Sequence, residues 1–210
     1  MAAKKHVLVL IAPGTEEMEL VITVDVLRRC EINVTVALVL EENNAIGAQD
    51  SIARCSRGVN IKADTTLQDF LAKNVDADLP DVVILPGGLE GSRLMARAAI
   101  VGTLLQRYHE AGKIVAAICA APTVLAAHGK LFAGYRLTSY PSFKDQMNND
   151  GYVWEDPTES PNGRVVQDKN LITSLGPATS FDFALTIGAT LAGQEVAEKV
   201  ANGMLYKWPK

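Results

Sequence analysis

Four short, almost purely apolar runs recur along this chain, and they constrain its fold more than any other feature. They are HVLVLIA (6–12), NVTVALVL (33–40), DVVILPGG (81–88) and KIVAAIC (113–119). Each run is too short to span a bilayer, and strands that are apolar on both faces belong in the middle of a parallel sheet covered by helices. The runs therefore predict the buried strands of an α/β sheet.

Helical patterns alternate with these runs, which strengthens the prediction of a largely parallel sheet. The segment RVVQDKNLITS (164–174) adds a hairpin, and the polar stretches at 43–51 and 155–163 are predicted surface loops. No linker or repeat divides the chain, so we expect a single domain over residues 1–210. The predicted helices are TEEMELVITVDVLRRCE (15–31), TLQDFLAK (66–73), IVGTLLQRYHEAG (100–112), PATSFDFALTIGATLAG (177–193) and QEVAEKVANGMLYK (194–207).

Charge and targeting signals argue against several classes of partner. The net charge is -4 and no extended lysine or arginine run occurs, so neither nucleic acid nor an anionic membrane is an expected partner. The N-terminal apolar run is too short for a secretory signal, which predicts a cytoplasmic protein, with nucleus or mitochondrion left open. The cysteines are Cys30, Cys55 and Cys119, and their wide spacing predicts free thiols rather than disulfides or a metal site.

Three predicted strands end in unusual sequences: APGTEEMEL, LPGGLEG and ICAAPTVL. The carboxyl ends of parallel strands meet at one edge of the sheet, where ligands of open α/β folds bind. The two glycines of LPGG can leave backbone N–H groups free to hold an oxyanion, although for this motif alone an ordinary glycine turn is the favoured interpretation. No phosphate-binding glycine motif is present, so no nucleotide cofactor is expected.

The residues around Cys119 permit two interpretations. A thiol at the last residue of a strand, just before a helix, lies near the positive end of the helix dipole, which would lower its pKa and favour a nucleophile. A cysteine in an apolar run is also an ordinary core residue. The run IVAAICAAP by itself leaves both interpretations open.

Glu19 is the expected partner of this thiol. Glu16 and Glu17 complement the helix dipole, whereas helical spacing places Glu19 on a face with Ile22 and Val26, so its carboxyl should point inward with a raised pKa. Histidine is the usual base for a cysteine nucleophile. His6 lies at the wrong end of the sheet, His109 on a helix surface and His128 a turn or two away, so a carboxylate partner is favoured.

Two further cysteines and two arginines complete the candidates. Cys30 is predicted to pack at the end of the first helix, and the polar context of Cys55 predicts an exposed or interfacial thiol. Arg29 and Arg57 are the candidate sources of positive charge for an acidic ligand, although an ordinary role as solvated surface residues is favoured for an average arginine.

Taken together, these segments resemble the DJ/PfpI superfamily, within the branch of the parkinsonism-associated protein deglycase. The resemblance covers residues 5–206 in order and rests on the segments LVLIAPGTEEMELVITVDVLRR, CSRGV, DVVILPGG, VAAICAAPTVLAAHG, LTSYPSFKD and LITSLGPATSFDFAL. It implies a flavodoxin-like three-layer α/β/α sandwich that forms a homodimer through its first helix.

The resemblance also implies a site and an activity. Cys119 would be the reactive cysteine, Glu19 its partner carboxylate, and the backbone N–H groups of Gly88 and Ala120 the oxyanion donors. Substrate contacts would fall on Gly87, Tyr140, Arg29 and Arg57. Members are described as cofactor-independent glyoxalases that convert methylglyoxal to lactate, as deglycases of early glycation adducts, and as redox sensors or chaperones whose cysteine is oxidised to a sulfinate.

Two departures from the family pattern bear on the chemistry. Tyr140 stands before Pro141 where several members carry a histidine, so any proton transfer would fall to Glu19. Ala120 stands where the protease-like branch has a histidine directly after the nucleophile, which argues against a cysteine peptidase. A glyoxalase or deglycase is thus the expected function, with a non-enzymatic redox sensor as the alternative and a peptidase as a weaker one.

Overall fold

The computed structural model of the protein describes residues 4–40, 51–75, 78–156 and 164–209. A seven-stranded sheet lies at its centre, and its strands are parallel except for the antiparallel pair at one edge. In spatial order they are β10 (Val165–Asp168), β11 (Leu171–Ser174), β7 (Ile114–Ile118), β6 (Val82–Leu85), β1 (His6–Ile11), β2 (Asn33–Leu38) and β5 (Thr65–Thr66).

Helices cover both faces of this sheet, and two small two-stranded sheets lie outside it. The helices are α1 (Glu17–Arg29), α2 (Leu67–Lys73), α3 (Leu89–Arg97), α4 (Ala99–Glu110), α5 (Pro122–Ala127), α6 (Lys144–Asn149), α7 (Ser180–Ala192) and α8 (Gln194–Gly203). The small sheets pair β3 (Ile52–Arg54) with β4 (Asn60–Lys62), and β8 (Arg136–Leu137) with β9 (Val153–Trp154).

Strand β1 shows why its run is apolar throughout. Leu8 and Leu10 point into the core cluster that includes residues of α3, α4 and α5. Val7, Val9 and Ile11 point to the opposite face, into the cluster that includes residues of α1 and α7. Successive strand residues face opposite sides, so a strand buried between two helical layers needs apolar residues at every position. The predicted three-layer α/β/α sandwich with a mostly parallel sheet is confirmed.

The predicted elements are found with shifted ends. The first helix begins at Glu17 rather than residue 15, because the Glu16 side chain caps it. The predicted hairpin is present, and its turn includes Lys169 at a positive φ of 51°. Residues 43–50 and 157–163 of the predicted loops lie outside the described residues. Helices α3 and α6 were not predicted, and neither were the short strands β3, β4, β5, β8 and β9, whose two or three residues carry no clear periodicity.

The sheet brings the carboxyl ends of β1, β6 and β7 together. Strand β6 pairs in parallel with β1 on one side and with β7 on the other, as the three unusual strand ends require. Within the described ranges, no helix combines the length and the apolar character needed to cross a membrane. The cytoplasmic location stays a prediction.

Candidate active site

Cys119 lies on a strained turn directly after β7. It is the first residue beyond the strand rather than its last, and its φ is +64°, in the left-handed region that non-glycine residues rarely occupy. Its N–H donates to the Ser174 carbonyl at 3.0 Å, and its own carbonyl accepts from the Tyr140 N–H at 2.8 Å. Such a strand-to-helix turn projects a nucleophile above the sheet edge.

Glu19 lies in the first turns of α1 and is fully buried, as its predicted inward orientation requires. Its Oε2 accepts the Gly87 N–H at 2.6 Å, and its own backbone N–H donates to the Glu16 carboxylate at 2.9 Å. The other carboxyl oxygen, Oε1, is buried and makes no hydrogen bond of normal length and angle with the described residues. The carboxyl interacts with the side chain of Cys119.

The two glycines after β6 allow this close approach. A Cβ on Gly87 would lie 2.6 Å from the Cys119 Cβ and 2.8 Å from Glu19 Oε2. A Cβ on Gly88, whose φ is +89°, would lie 2.2 Å from the Gly14 carbonyl oxygen. Only glycine fits at either position, so the LPGG sequence is required for the thiol and the carboxyl to meet.

Burial, together with a smaller effect of the nearby charge of Glu16, raises the pKa of the Glu19 carboxyl to about 8. The hydrogen bond from Gly87 and the interaction with Cys119 oppose this shift but do not cancel it. Burial disfavours the charged form of a carboxyl, so Glu19 is mostly protonated at neutral pH.

The prediction of a lowered pKa for the Cys119 thiol is wrong. Burial, followed by the charge of Glu19 and a hydrogen bond to it, raises this pKa to about 12, while the N–H groups of Gly88 and Ala120 act in the opposite direction. Helix α5 has only six residues, and its dipole does not outweigh burial beside a carboxylate. Both contributions of the carboxylate disappear when Glu19 is protonated.

Cys119 opens into a cavity of about 490 Å³ at the sheet edge. Of the predicted substrate contacts, Tyr140 and Arg57 line this cavity. Gly87 does not line it, because its N–H is used by Glu19. The cavity is lined by Gly14, Glu16, Ser56, Arg57, Gly88, Leu89, Glu90, Cys119, Ala120, Tyr140, Ser142, Phe143 and Pro177.

The structure also places Arg29 away from the cavity. Arg29 is at the exposed C-terminal end of α1, where its guanidinium binds Asp25 at 2.7 Å. Ten residues separate it from Glu19, which corresponds to about 15 Å along the helix axis. In this chain Arg29 therefore does not contact a ligand bound beside Cys119.

None of the chain's three histidines accompanies Cys119. The His6 ring bonds the Thr35 hydroxyl, the His109 ring packs against Phe132, and the His128 ring bonds the Met95 carbonyl. The carboxylate is thus the partner of this thiol, and a Cys–His pair of the peptidase type is absent.

The two other cysteines are free and buried. Cys30 packs against α7, where a Cβ on Gly188 would lie only 2.8 Å from its sulfur, as the predicted packing role requires. The prediction of an exposed Cys55 is wrong, whereas its alternative, a thiol near an interface between chains, stays a prediction. Cys55 is buried because the turn that follows it folds back onto α1, and burial raises the pKa of its thiol to about 11.

Glu17 holds that turn, a role that sequence reasoning missed. Its buried carboxylate accepts the Ser56 hydroxyl at 2.9 Å and the Arg57 N–H at 2.8 Å. These bonds fix Ser56 and Arg57 at the cavity wall. The segment is about forty residues away in sequence, and no local pattern connects it to Glu17.

A second cavity, of about 390 Å³, is lined by residues of β10, α7 and the C-terminal segment, including Trp208. Its lining contains no cysteine, histidine, acidic or basic side chain. Elsewhere in the described part of the chain, no group of three or more metal-binding side chains is placed to hold an ion. Of these two cavities, only the one beside Cys119 carries a thiol and charged side chains.

Comparison with known proteins gives consistent matches over nearly the whole chain. Residues 5–190 match the DJ-1/PfpI family. The chain is 48% identical to protein dj-1beta of Drosophila melanogaster over 97% of this chain and 98% of that protein. It is 37% identical to the glutathione-independent glyoxalase DJR-1.2 of Caenorhabditis elegans, over 93% of each. The crystal structure of Drosophila melanogaster DJ-1beta superposes with a TM-score of 0.85 at 46% identity, over 98% of this chain and 100% of that one.

The raised pKa of Glu19 predicts an unusual dependence of stability on pH. The carboxyl keeps its proton up to about pH 8 when folded, but loses it near the ordinary value of 4.5 when unfolded. Between these values the folded state binds more protons, so the free energy of unfolding should fall as pH rises, by at most about 1.4 kcal/mol per pH unit. Urea denaturation at a series of pH values in this window measures the slope.

Glu19→Gln should flatten this slope, because the amide has no proton to lose. Glu195→Gln, which removes a carboxyl from the exposed surface of α8, is the matched control and should keep the wild-type slope. Equal slopes in wild type and Glu19→Gln would show that Glu19 is ionised in the folded protein.

Proposed function

The chain belongs to the DJ-1/PfpI family, and from this premise we propose that it is a cofactor-independent glyoxalase that converts 2-oxoaldehydes such as methylglyoxal to 2-hydroxy acids. The glyoxalase among its relatives supports the reaction class. Early glycation adducts, in which the same aldehyde carbon is already bound to an amine or thiol, are the alternative substrates of the proposed activity.

The proposal rests on the arrangement of a thiol, a carboxyl and two backbone donors in the site. A partly exposed thiol on a strained turn lies beside a buried, protonated carboxyl, with two backbone N–H groups directed at the sulfur. A glyoxalase without a cofactor needs a nucleophile, a group that gives and takes a proton, and donors for an oxyanion. Cys119, Glu19 and the N–H groups of Gly88 and Ala120 provide these three functions.

The proton on Glu19 determines when the thiol becomes reactive. In molecules with a neutral carboxyl, burial still opposes ionisation of Cys119. The Gly88 and Ala120 N–H groups and the Glu19 O–H then all favour the thiolate. The thiolate is the nucleophilic form. The two groups thus act as a coupled pair, in which a protonated Glu19 stabilises the Cys119 thiolate.

The reaction follows from these positions. The Cys119 thiolate adds to the aldehyde carbon, and the new oxyanion takes the Glu19 proton to give a hemithioacetal. The Glu19 carboxylate removes the proton of that carbon and returns it to the adjacent ketone carbon, while the hemithioacetal hydroxyl proton passes to the ketone oxygen. The first carbon is thereby oxidised as the second is reduced. Water hydrolyses the resulting thioester, which releases the 2-hydroxy acid and regenerates the thiol.

Turnover of methylglyoxal by purified variants tests this mechanism. Cys119→Ala should reduce lactate formation to the uncatalysed background, because no covalent intermediate can form. Glu19→Gln should lower kcat by about 10²–10⁴-fold, the usual contribution of a positioned acid–base group. Enzymatic quantification of lactate gives the rates.

Cys30→Ala is the matched control, since it removes a buried thiol that does not line the cavity. It should retain the wild-type rate. Lactate formation that survives Cys119→Ala, or that is unaffected by Glu19→Gln, would exclude the proposed mechanism.

A redox sensor is the second candidate function, and the burial of the three thiols favours Cys119 as its centre. Cys119 is partly exposed at an open cavity, whereas Cys30 and Cys55 are buried. Oxidation by peroxide adds one oxygen to the sulfur per peroxide consumed and releases the other oxygen as water, so two equivalents give a sulfinate. The Gly88 and Ala120 N–H groups and the Glu19 O–H would then donate to the sulfinate oxygens.

Mild peroxide treatment followed by peptide mass spectrometry should therefore find sulfinate at Cys119 before either other thiol reacts. Glu19→Gln should slow its appearance, because it removes the group that stabilises the thiolate. Selective sulfinate formation without any turnover of 2-oxoaldehydes would favour the sensor over the enzyme. Oxidation of Cys55 or Cys30 at the same rate would contradict it.

We further propose that the protein is a homodimer formed through α1. Met18 and Val21 on this helix are 51% and 52% exposed, and Ile52 and Val59 around the β3–β4 pair are each 50% exposed. Val21→Asp should shift the sedimenting species from twice the chain mass of 22.5 kDa to the monomer. A monomeric wild type would contradict the proposal.

A further inference from the structure

The lack of a side chain on Gly176 leaves space beside both the Cys119 sulfur and the Tyr140 ring. A Cβ on Gly176 would be 3.9 Å from Cys119 Sγ and 3.7 Å from Tyr140 Cδ2. Gly176 is fixed there, because its N–H donates to the Thr179 hydroxyl at 3.1 Å and its carbonyl accepts the Thr179 N–H at 2.8 Å. The gap is therefore a defined part of the site, with the nucleophile on one side and an aromatic ring on the other.

The aromatic side of the gap is anchored to the nucleophile itself. The Tyr140 N–H donates to the Cys119 carbonyl, and the Phe143 N–H donates to the Tyr140 carbonyl at 2.9 Å. Tyr140 is 48% exposed and lines the cavity, so its side chain is available to a ligand instead of being buried in the core. Leu89, Phe143 and Pro177 extend the same apolar wall.

Methylglyoxal uses little of this wall. Its ketone carbon carries one methyl group, while the cavity of about 490 Å³ falls within the range that encloses drug-sized ligands. A flat ring on the ketone carbon would begin three bonds from the sulfur once the aldehyde carbon is attached to Cys119. A side chain on Gly176 would contact both that sulfur and the Tyr140 ring, so glycine leaves this space free for such a substituent.

We propose that Gly176 is a specificity-determining residue, which keeps open a slot between Cys119 and Tyr140 for 2-oxoaldehydes with an aromatic substituent on the ketone carbon. The choice of 2-oxoaldehydes rests on the proposed function, whereas the slot itself rests on the geometry. An aromatic substituent gains both apolar contact and offset stacking against Tyr140. Methylglyoxal gains neither.

Two haloketones test the slot without requiring turnover. Chloroacetone carries a methyl group on its ketone carbon and 2-chloroacetophenone carries a phenyl ring. With each, the Cys119 thiolate forms a carbon–sulfur bond and displaces chloride. For each protein we take the rate of labelling by 2-chloroacetophenone divided by the rate of labelling by chloroacetone. This ratio is then divided by the same ratio measured for the free thiol N-acetylcysteine, which corrects for the intrinsic reactivity of the two reagents. Peptide mass spectrometry confirms that Cys119 is the labelled residue.

The wild-type ratio should exceed that of the free thiol by about tenfold, the equivalent of about 1.4 kcal/mol. Gly176→Ala should bring the ratio close to one, because its methyl group occupies the slot. The backbone tolerates alanine there, since φ is 167° and the new contacts are of ordinary van der Waals length. Tyr140→Ala should also lower the ratio, by removing the ring.

Gly203→Ala is the matched control, because a Cβ at this position of α8 meets nothing within 4 Å. It should keep the wild-type ratio. A wild-type ratio equal to that of the free thiol, or a preference that survives both Gly176→Ala and Tyr140→Ala, would overturn the inference. Methylglyoxal turnover by the same preparations tests the proposed function separately, since alkylation needs no proton transfer by Glu19.

Discussion

The hydrogen bond from the Gly87 N–H to Glu19 Oε2, 2.6 Å long, is the interaction on which the candidate site depends. It places a fully buried carboxyl against the thiol, and the other oxygen, Oε1, makes no hydrogen bond of normal length and angle with the described residues. A buried carboxylate oxygen without a hydrogen bond destabilises the folded state, unless the oxygen carries a proton that it can donate. Burial keeps Glu19 neutral even though the Gly87 N–H favours its charged form, and a neutral carboxyl is what the nearby thiolate requires.

Three strand ends must coincide within a few ångströms for this pair to form. The loop after β1 starts helix α1 and presents Glu19, the loop after β6 provides Gly87 and Gly88, and the turn after β7 presents Cys119 at a positive φ. Even a methyl group at either glycine would overlap a neighbouring loop. The parallel pairing of β1, β6 and β7 sets this spacing, so the apolar strands also serve the chemistry.

Much of this arrangement could be predicted from the sequence, because its signals are local. Apolar runs and helical spacing identified the main strands of the sheet, its hairpin and the inward orientation of Glu19. The direction of the Cys119 pKa shift was missed, since helix-dipole reasoning considers the six-residue α5 but not the burial of the thiol beside a carboxyl. The exposure of Cys55 was misjudged because a turn held by the distant Glu17 buries it. The role of Arg29 was misjudged because its position along α1 places it far from the cavity. Neither Glu17 binding the turn at Ser56 nor the gap beside Gly176 has a signature in the local sequence.

The central claim is that Glu19 carries a proton at neutral pH in the folded protein. Carbon-13 NMR of glutamate-labelled protein, with the Glu19 carboxyl signal assigned by its loss in Glu19→Gln, measures this ionisation directly. The account predicts a titration midpoint near pH 8, far above the ordinary value of 4.5. A midpoint near the ordinary value would contradict it, because a carboxylate at this position would repel the thiolate rather than stabilise it.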